Sequence, residues 1–277
     1  MRPSEVVRRG AGYLERHDVE QPLATSEVLL ASILGTDRTG LYLRDEDLSS
    51  AEATRFGRAL CRRCTGTPVQ HLTGEQGFRR LVLTARPGVF VPRPETEVVV
   101  DAALEAIAEI GSPVVVDVGT GTGAIALSVA LEHPGARVFA TDLSTEAVDL
   151  AREHAERFGL AVDVREGDLL APVVPELSGM TDLVVSNPPY LEPADMETLP
   201  PDVRADPTAA LVGGIGVYER LFPEAAEILR PGGSVVVEIG DTQGEAVAAA
   251  ACAAGFEDVR VRSDLAGRDR VVEGRRP

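Results

Sequence analysis

Val114-Val115-Val116-Asp117-Val118-Gly119-Thr120-Gly121-Thr122-Gly123-Ala124 is an apolar run, a glycine-rich turn and the opening of a second apolar run. It predicts a buried strand, a tight turn and a helix start, because glycine turns the backbone at little steric cost and lets it approach a ligand closely. The alternation continues on both sides of this stretch. A helix is expected near 97–110, another near 123–133 and a third over 144–158. Further strands are expected at Arg137-Val138-Phe139-Ala140, Ala161-Val162-Asp163-Val164, Leu183-Val184-Val185 and Ser234-Val235-Val236-Val237. Alternation at these lengths predicts an α/β fold of Rossmann-like type, a mostly parallel sheet with helices on both faces. Val259-Arg260-Val261 and Arg270-Val271-Val272 follow one another without a helix between them and could close the sheet as an antiparallel pair.

Upstream the rhythm differs. Apolar residues Val6, Tyr13 and Leu14, then Val28, Leu29, Ile33 and Leu34, recur at helical spacing, so residues 1 to about 75 read as short helices. Thr25 and Ser26 are candidate caps for the second of them. Leu81-Val82-Leu83 and Val89-Phe90-Val91, separated by Thr84-Ala85-Arg86-Pro87-Gly88, suggest a β-hairpin. The expected organisation is a helical domain over 1–78, a hairpin linker over 79–96 and an α/β domain over 97–277.

Composition narrows the function. The chain has 277 residues and is 44% hydrophobic, enough for a packed core and too much for wholesale disorder. No apolar run approaches the ~20 residues needed to span a bilayer. With no visible export signal and only three cysteines, a cytoplasmic location is expected. The formal net charge is −17, and the acidic excess lies after residue 80, which opposes binding to phosphate backbones. There is no lysine, so lysine Schiff-base chemistry and a lysine-bearing P-loop are excluded.

Gly119-x-Gly121-x-x-Ala124, with Asp142 at the end of the next strand, satisfies the dinucleotide fingerprint as well as other nucleoside sites. Asp117 tilts the choice. A carboxylate at the end of the first strand sits poorly beside a pyrophosphate and suits a cationic ligand. S-adenosylmethionine carries a sulfonium and an ammonium and no phosphate. Asp142 can take the ribose hydroxyls. Asp168, after the third strand, can accept from the adenine amino group, its plainer reading being a turn aspartate.

Asn187-Pro188-Pro189-Tyr190 directly follows the fourth strand, at the same sheet edge as the glycine loop. An NH2 group conjugated to a carbonyl or ring is a poor nucleophile. The Asn187 side-chain oxygen and the Pro188 carbonyl can accept both of its N–H bonds, orienting the nitrogen and favouring the charge that develops as a methyl arrives. Pro188 and Pro189 stiffen the segment, and Tyr190 offers a flat face to an amide or base. Cys61-Arg62-Arg63-Cys64 is at most half a zinc site, so no metal is expected.

Taken together, these residues resemble the bacterial protein-(glutamine-N5) methyltransferases that modify peptide chain release factors, the HemK/PrmC family. The resemblance is carried over nearly the whole length by Thr67-Pro68-Val69-Gln70-His71-Leu72-Thr73-Gly74, Val91-Pro92-Arg93-Pro94-Glu95-Thr96-Glu97, the loop Asp117–Gly123, Asn187–Tyr190 and Asp206-Pro207-Thr208-Ala209-Ala210-Leu211. It implies a substrate-gripping helical N-terminal domain and a seven-stranded methyltransferase domain. S-adenosylmethionine would be held by Asp117, Gly119, Thr120, Gly121, Thr122, Gly123, Asp142, Asp168, Leu169 and Asn187. The glutamine of a class I release factor's Gly-Gly-Gln loop would be held by Asn187, Pro188, Pro189 and Tyr190, with Asn187, Pro188 and Tyr190 at the reaction centre. No nucleic acid or membrane partner is implied. Two positions depart from the family pattern: Leu169 lacks the frequent aromatic, and Arg79-Arg80 replace an aromatic-glycine pair. Glu95 and Glu97 either line the cleft or favour a helix N-terminus. The competing readings are an amino-methylating enzyme of DNA or RNA, a silent binding protein that keeps the fold, and a nicotinamide oxidoreductase.

Overall fold

The computed structural model describes residues 1–277. Its helices are α1 (Pro3–Glu15), α2 (Pro22–Leu34), α3 (Arg38–Leu43), α4 (Ser50–Cys64), α5 (Val69–Thr73), α6 (Glu97–Ile107), α7 (Ala124–Glu132), α8 (Thr145–Phe158), α9 (Val174–Leu177), α10 (Thr208–Leu211), α11 (Gly216–Ile228) and α12 (Gly244–Ala253). The strands are β1 (Glu75–Phe78), β2 (Leu81–Thr84), β3 (Val114–Val118), β4 (Arg137–Asp142), β5 (Val162–Glu166), β6 (Thr181–Ser186), β7 (Leu229–Glu238), β8 (Glu257–Ser263) and β9 (Asp269–Arg275). No helix is long and apolar enough to cross a membrane. The chain divides into two compact units, one of residues 1–75, 85–87 and 199–205, the other of the remainder.

In the first unit, Val7, Leu14, Leu29, Leu30, Leu41, Phe56 and Leu60 form the core. Thr25 and Ser26 are not caps. The helix begins earlier, with proline in its first turn after Gln21, and Ser26 lies buried inside it, donating to the Val7 carbonyl at 2.8 Å. Gly10 permits this approach, since a Cβ there would stand 2.6 Å from Ser26 Oγ. Residues 199–205 join this unit through Asp202, which accepts from Arg63 Nη2 at 3.1 Å.

The second unit is built on a seven-stranded sheet of order β5-β4-β3-β6-β7-β9-β8. The pairs from β5 to β7 are parallel, and β9 runs antiparallel to both β7 and β8. Both faces are covered, so the central strands are apolar at nearly every position and successive residues serve opposite cores. Val115, Leu183, Val185 and Val236 pack with α6, α7 and α8, whereas Val116, Val184, Val235 and Val237 pack with α11 and α12. Strand order reverses at β3, which pairs with β4 on one side and β6 on the other; ligands of open α/β sheets bind beyond the carboxyl ends at such a point.

The hairpin differs from the expected one. It pairs β1 with β2, while Val89-Phe90-Val91 forms no strand. Pro92 cannot continue a ladder, and the Val91 N–H is taken by Asp206 Oδ1 at 3.3 Å. The hairpin turn is Arg79-Arg80. Arg79 adopts φ +49°, its N–H donates to Glu97 Oε1, and its guanidinium grips Glu132 at 2.6 and 2.9 Å and Asp101 at 2.6 Å. This clamp ties the turn to α6 and α7. His154 ties the other end of the hairpin to the glycine loop. Its Nε2 accepts the Thr84 N–H at 2.9 Å, which leaves Nδ1–H to donate to the Thr122 carbonyl at 2.8 Å.

Arg79→Ala removes a bidentate, largely buried ion pair and leaves Glu132 short of its partner, so it is expected to destabilise the protein by about 1–3 kcal/mol, read by denaturant unfolding. An unchanged midpoint and slope would show that the clamp holds nothing.

Candidate active site

Asp117, next to the last residue of β3, is fully buried, at 0% exposure. Its Oδ2 accepts from Thr120 Oγ1 at 2.6 Å and from the Ala126 N–H at 3.1 Å, while Oδ1 has no partner. Burial pushes its carboxyl up to about 7, and the neighbouring Asp142 adds to the rise. A buried carboxylate with a bare oxygen is costly unless a cation or donor arrives. The residues present therefore fit a cationic ligand and would repel a phosphate.

The loop wraps this carboxylate. Gly119 and Thr120 donate to the Thr141 carbonyl at 2.8 and 3.0 Å, hooking the turn onto β4. Gly119, Gly121 and Gly123 have φ of +69°, +55° and +82°. Space over Gly121 is open, whereas a Cβ on Gly123 would meet Leu127 at 2.9 Å. The first glycine pair thus serves the turn and the approach of a ligand, and Gly123 serves helix packing. Thr122 is buried and contributes the carbonyl that His154 holds.

Asp142 ends β4. One oxygen accepts the Gly121 N–H at 2.8 Å and the other the Ser144 N–H at 2.9 Å, and the Leu143 N–H also favours its charge. Burial raises its pKa. The next residue, Leu143, is 69% exposed, an apolar surface at the sheet's carboxyl edge that the sequence reading passed over. Asp168 follows β5 and is paired with Arg220 of α11 at 2.5 Å, which occupies one of its oxygens. Leu169 stands beside it with φ +43° and packs against the core.

Asn187 emerges from β6 next to β3, where Val118 pairs with Ser186 and the Ser186 hydroxyl donates to the Val118 carbonyl at 2.7 Å. A Cβ on Gly119 would stand 4.0 Å from the Asn187 carbonyl, so the two loops adjoin. Asn187 Nδ2 donates to Thr96 Oγ1 at 3.1 Å. That leaves the side-chain oxygen as the outward acceptor. Pro188 is buried and Pro189 half-buried, and a Cβ on Gly213 would meet the Pro189 carbonyl at 2.2 Å, so glycine is required there. Tyr190 packs partly into the core, and the Gln243 side chain donates to its carbonyl at 2.9 Å.

Two motifs distant in sequence support this edge together. Buried Asp206 accepts the Val91 N–H and pairs with Arg93, fixing the segment that carries Thr96. Beyond it, Leu211 and Leu191 join through a 2.9 Å backbone bond, laying residues 206–213 along the Asn187–Tyr190 segment. Glu97 Oε1 accepts the Arg79 N–H at 2.9 Å, which ties it to the hairpin turn. The sequence reading missed Thr96 and Glu238 as site residues. Glu238 carries the same signal as Asp117 and Asp142, an acid ending an apolar strand.

Residues 5–74 match the PrmC N-terminal domain, and residues 80–200 match the methyltransferase small domain. Relatives named release factor glutamine methyltransferase include those of Moorella thermoacetica, 45% identical over 96% of this chain and 94% of theirs, and Deinococcus radiodurans, 42% identical over 100% and 99%. Among solved structures, the T. thermophilus 16S rRNA N2 G1207 methyltransferase in complex with AdoMet and guanosine has a TM-score of 0.54 at 20% identity, over 73% of this chain and 50% of that one. A Pyrococcus furiosus methyltransferase has a TM-score of 0.51 at 17% identity, over 70% and 88%. These two show the fold.

A cation held by the Asp117 carboxylate binds its ionised form. With the free carboxyl near 7, ligand affinity rises with pH through that value. The Kd for S-adenosylmethionine is expected to be about tenfold weaker at pH 6 than at pH 8, with Asp117→Asn weak and flat across the range, as read by calorimetry. A pH-independent wild-type Kd would contradict this role.

Proposed function

The chain belongs to the release factor glutamine methyltransferases, and from that membership we propose that it methylates the side-chain amide nitrogen (N5) of the glutamine in the Gly-Gly-Gln motif of class I peptide chain release factors. The observation that carries the chemistry is the Asn187 amide, its nitrogen bound to Thr96 and its oxygen left to accept. S-adenosylmethionine is the methyl donor; when bound, it supplies an electrophilic methyl on a sulfonium.

The chain's residues position and polarise. Asp117 faces the donor's positive charge, Asp142 takes the ribose hydroxyls, and Gly119 to Gly123 bring backbone close to it. Leu143 and Leu169 follow adjacent strands and offer apolar surface to the adenine. Asp168 is the acceptor we assign to the adenine amino group, through the oxygen that Arg220 leaves. Asn187 Oδ1 and the Pro188 carbonyl accept the two N–H bonds of the glutamine amide. This orients the nitrogen and stabilises the positive charge that grows on it as the methyl is transferred. Pro189 and Tyr190 complete the slot for the flat amide.

The helical N-terminal region is the part we assign to gripping the factor, in line with its match to the PrmC N-terminal domain. The net charge of −17 favours a protein substrate over nucleic acid, and we place the enzyme with its substrate in the cytoplasm.

Asn187→Ala removes one acceptor aimed at developing charge, and kcat on a purified release factor is expected to fall about 10²–10³-fold with cofactor Kd moved less than about tenfold. Label from S-adenosylmethionine should reach the wild-type factor and not one whose motif glutamine is alanine. Transfer to RNA or DNA instead would establish the nucleic-acid alternative.

A further inference from the structure

Glu238 ends β7 and is 2% exposed, one residue removed from the proposed reaction centre. The Thr96 and Tyr190 hydroxyls neighbour its carboxylate and favour its charged form. Arg270 on β9 and Glu95 beside Thr96 act on it electrostatically, the first favouring and the second opposing its charge. On the α11 side the Tyr218 hydroxyl donates to its backbone carbonyl at 2.7 Å, and its Oε2 has no partner. The chemistry described above makes no use of it.

We propose that Glu238, acting through Thr96, is the positioning residue that sets which end of the Asn187 amide faces the substrate. The inference rests on the proposed glutamine methylation and deepens it. A hydroxyl has a single proton. An ionised carboxylate only accepts, so the Thr96 proton is directed to Glu238, and the Thr96 lone pair is left for Asn187 Nδ2, 3.1 Å away. The chain of bonds therefore turns Asn187 Oδ1 toward the incoming amide. When Glu238 is protonated it can donate to Thr96, which frees the Thr96 proton for Asn187 Oδ1. The Asn187 amide then reverses and presents NH2 to the substrate's NH2, donor against donor.

Burial pushes the Glu238 carboxyl up to about 7. The productive arrangement is present above that value and lost as pH falls through it. The Tyr190 hydroxyl, at the end of the reaction motif, also favours the charged form of this carboxylate, so the acid lies near both ends of Asn187–Tyr190.

The test is kcat and KM for methylation of a purified release factor, between about pH 6 and pH 9, for wild type, Thr96→Val, Thr96→Ser and Glu238→Gln. Saturating S-adenosylmethionine keeps the titration of Asp117 out of kcat, and thermal unfolding checks each variant. We expect wild-type kcat to be about tenfold lower at pH 6 than at pH 8. Thr96→Val should lose about 10–100-fold in kcat, with KM and cofactor Kd within about threefold and no acid limb. Thr96→Ser should recover to within about threefold and regain the limb. Glu238→Gln, which can donate as well as accept, should be about 3–10-fold slower at pH 8 and flat. Full wild-type rate in Thr96→Val, no recovery in Thr96→Ser, or an unaltered limb in Glu238→Gln would overturn the inference and leave glutamine methylation standing. Should Glu238→Gln fail to fold, the valine and serine pair decides. A wild type that methylates no release factor would overturn both.

Discussion

Parallel pairing of β3 with β4 on one side and β6 on the other is the constraint from which the site follows. Each parallel connection needs a crossover, and the crossovers depart to opposite faces at β3, so the carboxyl ends of adjacent strands open into one crevice. Asp117, Asp142 and Asn187 stand there because each lies at or next to the carboxyl end of its strand. Register does the rest: Asp117 pairs with Val185 and Val118 with Ser186, which brings the turn after β3 beside the turn after β6.

The crevice is electrostatically unusual. Asp117 and Glu238 are buried carboxyls, both pushed up to about 7, and Asp142 is raised as well. All three lose hydration, Asp142 repels Asp117 and Glu95 opposes the charge on Glu238, a cost that structural carboxylates avoid through full hydrogen bonding. The cost is consistent with a ligand that brings positive charge and with a reaction in which positive charge shifts from sulfur toward nitrogen. Rigid supports surround the acids. Arg79 pins the hairpin turn, His154 joins the hairpin to the glycine loop, and Asp206 fixes the segment bearing Thr96.

What could be read from sequence was local. The alternation after residue 97, the glycine loop and Asn187–Tyr190 each announce themselves within a dozen residues, and the structure puts them on one edge. The closing antiparallel strands were also legible, because no helix separates them. The hairpin was misread. Glu75-Gln76-Gly77-Phe78 is too polar to look like a strand, yet pairs with β2, while apolar Val89-Phe90-Val91 is held by Asp206, far away in the chain. Ser26 looked like a cap because its role depends on a neighbouring helix. Glu238 carried a readable local signal, an acid closing an apolar run, but its link to Asn187 through Thr96 exists only once β6, β7 and the segment before α6 are assembled.

The central claim is that Asn187 and its neighbours present a glutamine amide nitrogen to the donor. Its most direct test is fragment-ion mass spectrometry of a release factor incubated with the enzyme and S-adenosylmethionine. The account predicts the mass of one methyl on the side chain of the Gly-Gly-Gln glutamine, absent when the enzyme carries Asn187→Ala. A methyl on any other residue, or an unmodified factor alongside methylated nucleic acid, would contradict it.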